Sequence, residues 1–159
     1  QALRDEAKLM AGQRVLINGA SSGVGSFAVQ IAKILGAEVT AVCNSQKLEK
    51  VRSLGVDHII DYTQTDITQA RQQYDLMLDV AGFRSVFDYL PALVPQGTYV
   101  MVGGSIVRLF QVLLFGSIIS RISRRNVKGL VIKPNQTDLL TLKAWMEAGK
   151  LTPLIDQCY

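Results

Sequence analysis

Metal-ligating and thiol chemistry are scarce in this chain: 159 residues carry two cysteines and one histidine. Cys43 and Cys158 are remote from each other and show no CxxC or metal-like spacing. With His58 as the single distant imidazole they cannot assemble a zinc site. Free thiols in a reducing compartment, the cytoplasm, are therefore expected. A secretory leader is not visible either, because the opening QALRDEAKLMAGQ is too charged for one. The most apolar stretch, 106–120, is short for a bilayer span and contains Arg108. Internal repeats and low-complexity tracts are missing. Net charge is only +4, with an isoelectric point near 9.2, so nucleic acid is not required as a partner. The sequon Asn135-Gln136-Thr137 carries no meaning in a cytoplasmic protein. A hydrophobic content of 48% indicates one globular domain with a real core.

What is present is concentrated in Arg14 to Gly36. An apolar run, Val15 to Ile17, stops at Gly19-Ala20-Ser21-Ser22-Gly23-Val24-Gly25. A helical pattern follows, with Phe27, Ile31, Ile34 and Leu35 spaced to face a sheet. Strand, glycine turn and helix in this order aim the first N–H groups of a helix at a diphosphate. Glycine admits the close approach of backbone to phosphate and of helix to strand. The same seven residues also suit a plain βα turn that needs small side chains for packing. A second buried strand, Glu38 to Cys43, ends about twenty residues later, where such folds read the adenosine ribose. An acid there marks a cofactor without a 2′-phosphate. Cys43-Asn44-Ser45-Gln46-Lys47 has none and supplies amide, hydroxyl and ammonium donors. That favours NADP(H) over NAD(H). The alternative is that Lys47 is an ordinary solvated lysine opening the next helix.

Strand and helix patterns alternate to the end of the chain. A helix over 46–54 stops at Gly55, and 58–60 forms a third strand. Residues 65–73 lean to helix, and 74–80 are a fourth strand ending at Ala81-Gly82. A helix over 84–93 and a turn at Pro95-Gln96-Gly97 lead to a fifth strand, 98–102, ending at Gly103-Gly104. A sixth strand is expected over 127–132, and an amphipathic helix over 137–148 stopped by Gly149. Continuous apolar strands separated by helices predict an α/β, doubly wound parallel sheet of Rossmann type. Helices should cover both faces, with strand order 3-2-1-4-5-6. The first, fourth and fifth strands all end in small residues, leaving room for a flat ring and a ribose.

NGASSGVGSFAVQIAK, LGVDHIIDY, YDLMLDVAG and GTYVMVGG together resemble the cofactor domain of the medium-chain dehydrogenase/reductase superfamily. The branch they resemble is the zinc-independent quinone oxidoreductase and enoyl reductase group. The resemblance runs from about Leu3 to Tyr159. It implies a fragment without the GroES-like catalytic domain, inactive alone, from a parent that reduces a quinone or an α,β-unsaturated carbonyl with NADPH. It maps the diphosphate turn onto Ser21, Ser22, Gly23, Val24 and Gly25, and the 2′-phosphate group onto Asn44, Ser45, Lys47 and Tyr62. Nicotinamide-ribose contacts fall on Val80, Ala81, Val102 and Gly103; no catalytic residue and no metal ligand are carried over. Ser22 departs from the group's A-x-x-G-x-x-G pattern, and the resulting G-x-x-x-G-x-G spacing is shared with short-chain dehydrogenases. Those enzymes need Tyr-x-x-x-Lys. Tyr62, Tyr74, Tyr89 and Tyr99 are followed four residues on by Asp66, Leu78, Leu93 and Gly103. A non-catalytic module that senses redox state through bound NADPH remains the rival from another class.

Other residues have plainer readings. His58 opens the third strand and is not expected to be catalytic. Asp79, beside the glycines, is expected to accept from backbone groups. The segment 106–120 is read as an apolar lid or subunit contact; with Arg121, Arg124, Arg125 and Lys128 it also suits an anionic lipid surface. An apolar edge strand at 127–132 calls for a two-fold partner, predicting a homodimer, unless the helix over 137–148 covers it.

Overall fold

The computed structural model describes residues 1–69 and 73–154. Six strands, β1 (Arg14–Asn18), β2 (Glu38–Cys43), β3 (His58–Asp61), β4 (Tyr74–Asp79), β5 (Leu93–Met101) and β6 (Asn126–Gly129), form one sheet. Its order is β3-β2-β1-β4-β5-β6 and every pairing is parallel, as the alternation of patterns predicts. The helices are α1 (Gly23–Ile34), α2 (Leu48–Arg52), α3 (Val86–Tyr89), α4 (Ile106–Ser123) and α5 (Gln136–Glu147).

The sheet is covered on both faces because its strands are apolar at successive positions, which a period of two sends to opposite sides. Val15, Ile17, Val39, Ala41, Leu76 and Leu78 join α1 in one core. Leu16, Val42, Met77, Tyr99 and Met101 join α3 and α4 in the other.

The face of α1 differs from the expected one. Gly25, Ala28, Val29 and Ala32 are the buried stripe, Ile31 and Leu35 pack at its margin, and Phe27 and Ile34 stay half-buried outside the core. Small side chains win this position because they let the helix axis come close to β1 and β2.

Several boundaries move for local reasons. The helix expected over 84–93 is the four-residue α3 and a tight turn, Leu90–Ala92, containing Pro91; Leu93 already pairs with Tyr74. The turn at Pro95-Gln96-Gly97 is a bulge inside β5, which next pairs Thr98 with Leu76, and Gln96 takes a left-handed φ of +65° there. The helix over 46–54 begins with a tight turn, Ser45–Lys47, and its α-helical part is Leu48–Arg52. Of the helix over 65–73, one turn at Ile67–Gln69 forms among the described residues.

The sixth strand is shorter than expected. It ends at Gly129, leaving Val131 and Ile132 exposed beyond it. Helix α4, rather than α5, lies across it. Val112, Gly116 and Ile119 face Val127, and Ser120 Oγ accepts the Val127 N–H at 2.8 Å. The opposite side of α4 exposes Phe110, Leu114, Phe115, Ile118 and Ile122. No helix among the described residues is long and apolar enough to cross a membrane.

Helix α5 buries no side chain among the described residues. Asn135 caps it by accepting the Asp138 N–H at 2.8 Å, and Asp138 ties it to the N-terminal helical turn, Ala2–Glu6, and the Gln1 before it. Its carboxylate accepts from Gln1 Nε2 at 2.8 Å and from Arg4 at 2.6 Å. Led by the Arg4 hydrogen bond, these contacts hold the Asp138 carboxyl well below the ordinary carboxylate range.

Candidate functional site at the strand ends

The glycine turn joins β1 to α1, and its parts have separate tasks. Gly19 takes a φ of +83°, which glycine adopts without strain, and a Cβ there would stand 3.3 Å from Ala81. At Gly25 a Cβ would stand 2.1 Å from the Gly19 carbonyl oxygen, so the helix can leave the strand at this angle only with glycine. Ser22 is the N-cap. Its hydroxyl accepts from the Gly25 N–H at 3.0 Å and donates to the Gly19 carbonyl at 2.8 Å. The departure from the middle glycine is thus a capping residue, and the Ser22 hydroxyl is committed to the turn.

Gly23 is different. It has no left-handed φ, and nothing beyond its chain neighbours and its own helical turn lies within 4 Å of where its Cβ would be. Its N–H and that of Val24 belong to the first helical turn, which has no intrahelical acceptors. The Ser26 N–H already reaches the Ser22 carbonyl at 2.9 Å. Gly23 and Val24, both exposed, therefore present donors at the positive end of the α1 dipole. Ser21 is half-buried in the same turn.

At the end of β2, the Ala20 N–H donates to the Val42 carbonyl at 3.0 Å and fixes the turn against the strand. Asn44 follows, and its Oδ1 is buried with no hydrogen-bond partner among the described residues. A buried acceptor left open is costly unless a ligand or water completes it. Ser45 is exposed, Lys47 half-buried and Tyr62 exposed after β3. The Tyr62 N–H donates to the Cys43 carbonyl at 3.1 Å, which brings the β3 end against the β2 end. Cys43 itself is a buried free thiol whose pKa is pushed up by burial. Cys158 lies outside the described residues.

The third part of the candidate site is built almost without side chains. The Val80 N–H donates to the Asn18 carbonyl at 3.0 Å and the Val102 N–H to the Asp79 carbonyl at 2.9 Å, setting three strand ends level. A Cβ on Gly82 would stand 2.4 Å from the Gly103 oxygen, and one on Gly103 2.9 Å from the Val80 oxygen. Val80, Ala81, Val102 and Gly103 are half-buried around this backbone contact.

Beneath it is a buried polar network that sequence reading caught only in part. Asp79 does accept a backbone bond, from the Gly82 N–H at 2.8 Å. It also accepts from Asn18 Nδ2 at 2.9 Å and from the Tyr99 hydroxyl at 2.7 Å, and Asn18 reaches the Tyr89 hydroxyl at 3.1 Å. Burial, and then the nearby Asp79 charge, raises the Tyr89 phenol above its ordinary range. The four side chains lie on separate elements, so their polarity was visible in sequence and their meeting was not. His58 opens β3 and its Nε2 meets the Glu38 carboxylate at 3.0 Å, away from the cleft.

Comparison with known proteins identifies the family and the fold. The family model described as zinc-binding dehydrogenase matches residues 23–134. The chain is 33% identical over a 165-position alignment to the trans-enoyl reductase pgmF of Aspergillus terreus, covering 94% of this chain and 45% of that protein. It is 32% identical over 148 positions to the chloroplastic NADPH-dependent alkenal/one oxidoreductase of Arabidopsis thaliana, covering 92% and 33%. The quinone oxidoreductase of Coxiella burnetii shares the fold with a TM-score of 0.82 at 24% identity, covering 94% of this chain and 45% of that one. The CurK enoyl reductase superposes with a TM-score of 0.75 at 27% identity, covering 96% and 49%. This chain spans less than half the length of each of these relatives. Zinc, which the family description implies, has no fitting ligand set among the described residues: no three His, Cys, Asp or Glu side chains converge. The open N–H donors, the orphaned Asn44 oxygen and the glycine-lined strand ends do fit a dinucleotide. On the family match and the covered identity, the chain belongs to the zinc-binding dehydrogenase family of the medium-chain dehydrogenase/reductase superfamily.

Proposed function

We propose that this chain binds NADP(H) and serves as the cofactor half of an oxidoreductase that reduces a quinone or an α,β-unsaturated carbonyl. The observation that carries the cofactor reading is Gly23. The fold makes no demand for glycine there, yet its backbone stands open at the head of α1, where a diphosphate needs close approach. Gly23, Val24 and Ser21 would hold the diphosphate, with Ser22 and Gly25 shaping the turn. Asn44, Ser45, Lys47 and Tyr62 would take the 2′-phosphate end. Val80, Ala81, Val102 and Gly103 would seat the nicotinamide ribose. When bound, the nicotinamide supplies the hydride. The chain's own part is to fix the ring by backbone contacts at the strand ends and to keep water from that side. The substrate class is supported by the enoyl reductase and alkenal/one oxidoreductase among the relatives. The free Cys43 thiol supports a cytoplasmic setting.

Titration with NADPH tests the cofactor reading, and NADPH consumption with a quinone or an enone by the whole protein tests the reaction. The isolated 159-residue chain should bind without turnover. A whole protein that binds NADPH but consumes none with either substrate class is instead a redox-sensing module. We also propose pairing of two chains along β6, with the exposed Phe110, Leu114 and Phe115 adding apolar area. The Val127 N–H is already bonded to Ser120, so α4 contributes more to this contact than the bare strand edge. Light scattering should report a dimer that Val131→Lys weakens. A monomer, or a dimer indifferent to that lysine, refutes the pairing.

A further inference from the structure

The stretch that follows β2 has no acid in sequence, but the fold brings one there from the neighbouring strand. Asp61 closes β3 directly opposite Cys43 in the parallel register. Its carboxylate accepts from the Ser45 hydroxyl at 2.5 Å, from the Thr63 hydroxyl at 2.7 Å and from the Thr63 N–H at 2.9 Å. The Ser45 and Thr63 hydroxyls are themselves 2.9 Å apart. The Ser45 bond above all, then those from Thr63, lowers the Asp61 pKa, so the group is an anion at neutral pH. Two consequences follow for a ligand held at this end of the cleft. Ser45 spends its proton on Asp61 and must give up that bond before it can donate to a 2′-phosphate, which weakens its share of the subsite proposed above. The carboxylate also adds negative charge where a 2′-phosphate would sit, and offers an acceptor to ribose hydroxyls instead.

We propose that Asp61 is a specificity-determining residue: it weakens the hold on a 2′-phosphate and lets the cleft accept NADH beside NADPH. The proposal rests on the dinucleotide reading above. Asp61→Asn tests it: the amide keeps an oxygen for the Thr63 N–H, removes the charge, and turns the oxygen that accepts from Ser45 into an N–H donor, which frees the Ser45 proton. NADPH and NADH are titrated against both chains by cofactor fluorescence at low and high salt, with circular dichroism checking the fold. The expected result is NADPH binding tightened roughly five- to tenfold at low salt, with NADH unchanged or weaker. The gain should shrink as ionic strength rises, which a merely structural role would not produce. Asp61→Ser gives an independent measurement of the same charge removal. If wild type binds both cofactors and neither substitution changes their ratio, the Asp61 role is overturned and the dinucleotide reading stands. If the folded wild-type chain binds neither cofactor, both fall.

Discussion

Two glycines separated by one residue should respond to alanine in opposite ways. At Gly25 the new Cβ would meet the Gly19 oxygen at 2.1 Å, the Gly19 carbonyl carbon at 2.8 Å and the Ala20 Cα at 2.9 Å. All three are backbone atoms, so no side chain can swing aside; helix and strand must part by roughly an ångström to restore van der Waals distance. Overpacking of this kind costs about 3 kcal/mol. For a domain of this size that lowers the melting temperature by about 6–12 °C. At Gly23 a Cβ would meet nothing within 4 Å beyond its own helical turn, and the backbone is not left-handed. Gly23→Ala should change stability by less than about 0.5 kcal/mol. It should nonetheless weaken NADPH binding at least about tenfold, or ~1.4 kcal/mol, since the methyl occupies the approach to the phosphate. Thermal unfolding and NADPH titration on both variants measure the two effects. A Gly23→Ala chain that melts early yet binds NADPH normally would refute the assignment of this glycine to the ligand.

Lys47→Ala should cost NADPH about 1.5–3 kcal/mol, roughly ten- to a hundredfold, and NADH far less; an equal loss for both would show that the lysine does not read the phosphate. Tyr99→Phe removes a donor to the fully buried Asp79 carboxylate and should destabilise by about 1.5–3 kcal/mol, read from denaturant midpoints; an unchanged midpoint would mean the network does not support the cleft. Acid should release α5 from the N-terminal turn. The Asp138 pKa is depressed in the fold, so its contribution is present above the ordinary value of 3.8 and is lost as pH falls below it. Fluorescence of Trp145, the single tryptophan and a residue of α5, should report this progressively as pH falls below about 4, and Asp138→Asn should already be released at pH 7.

The primary structure by itself determined the alternation of elements and the strand order. Apolar runs of strand length, separated by helical patterns and ended by small residues, admit few other right-handed parallel arrangements. It also marked Gly23 and Asn44, because a turn motif and a strand end are local in the chain. Tertiary structure decided what depends on residues distant in sequence. The stripe of α1 that faces the sheet was settled by how closely a helix can approach two strands, which favoured Gly25 and Ala28 over Phe27. β6 was shortened and covered by α4 through the Ser120 bond to Val127, a contact without sequence periodicity. Asn18, Asp79, Tyr89 and Tyr99 became one network only when β1, β4, α3 and β5 were laid side by side. Asp61 reached Ser45 in the same way. Parallel pairing places the end of one strand beside the end of another, so the charge of a binding subsite belongs to the sheet and not to the segment that opens it.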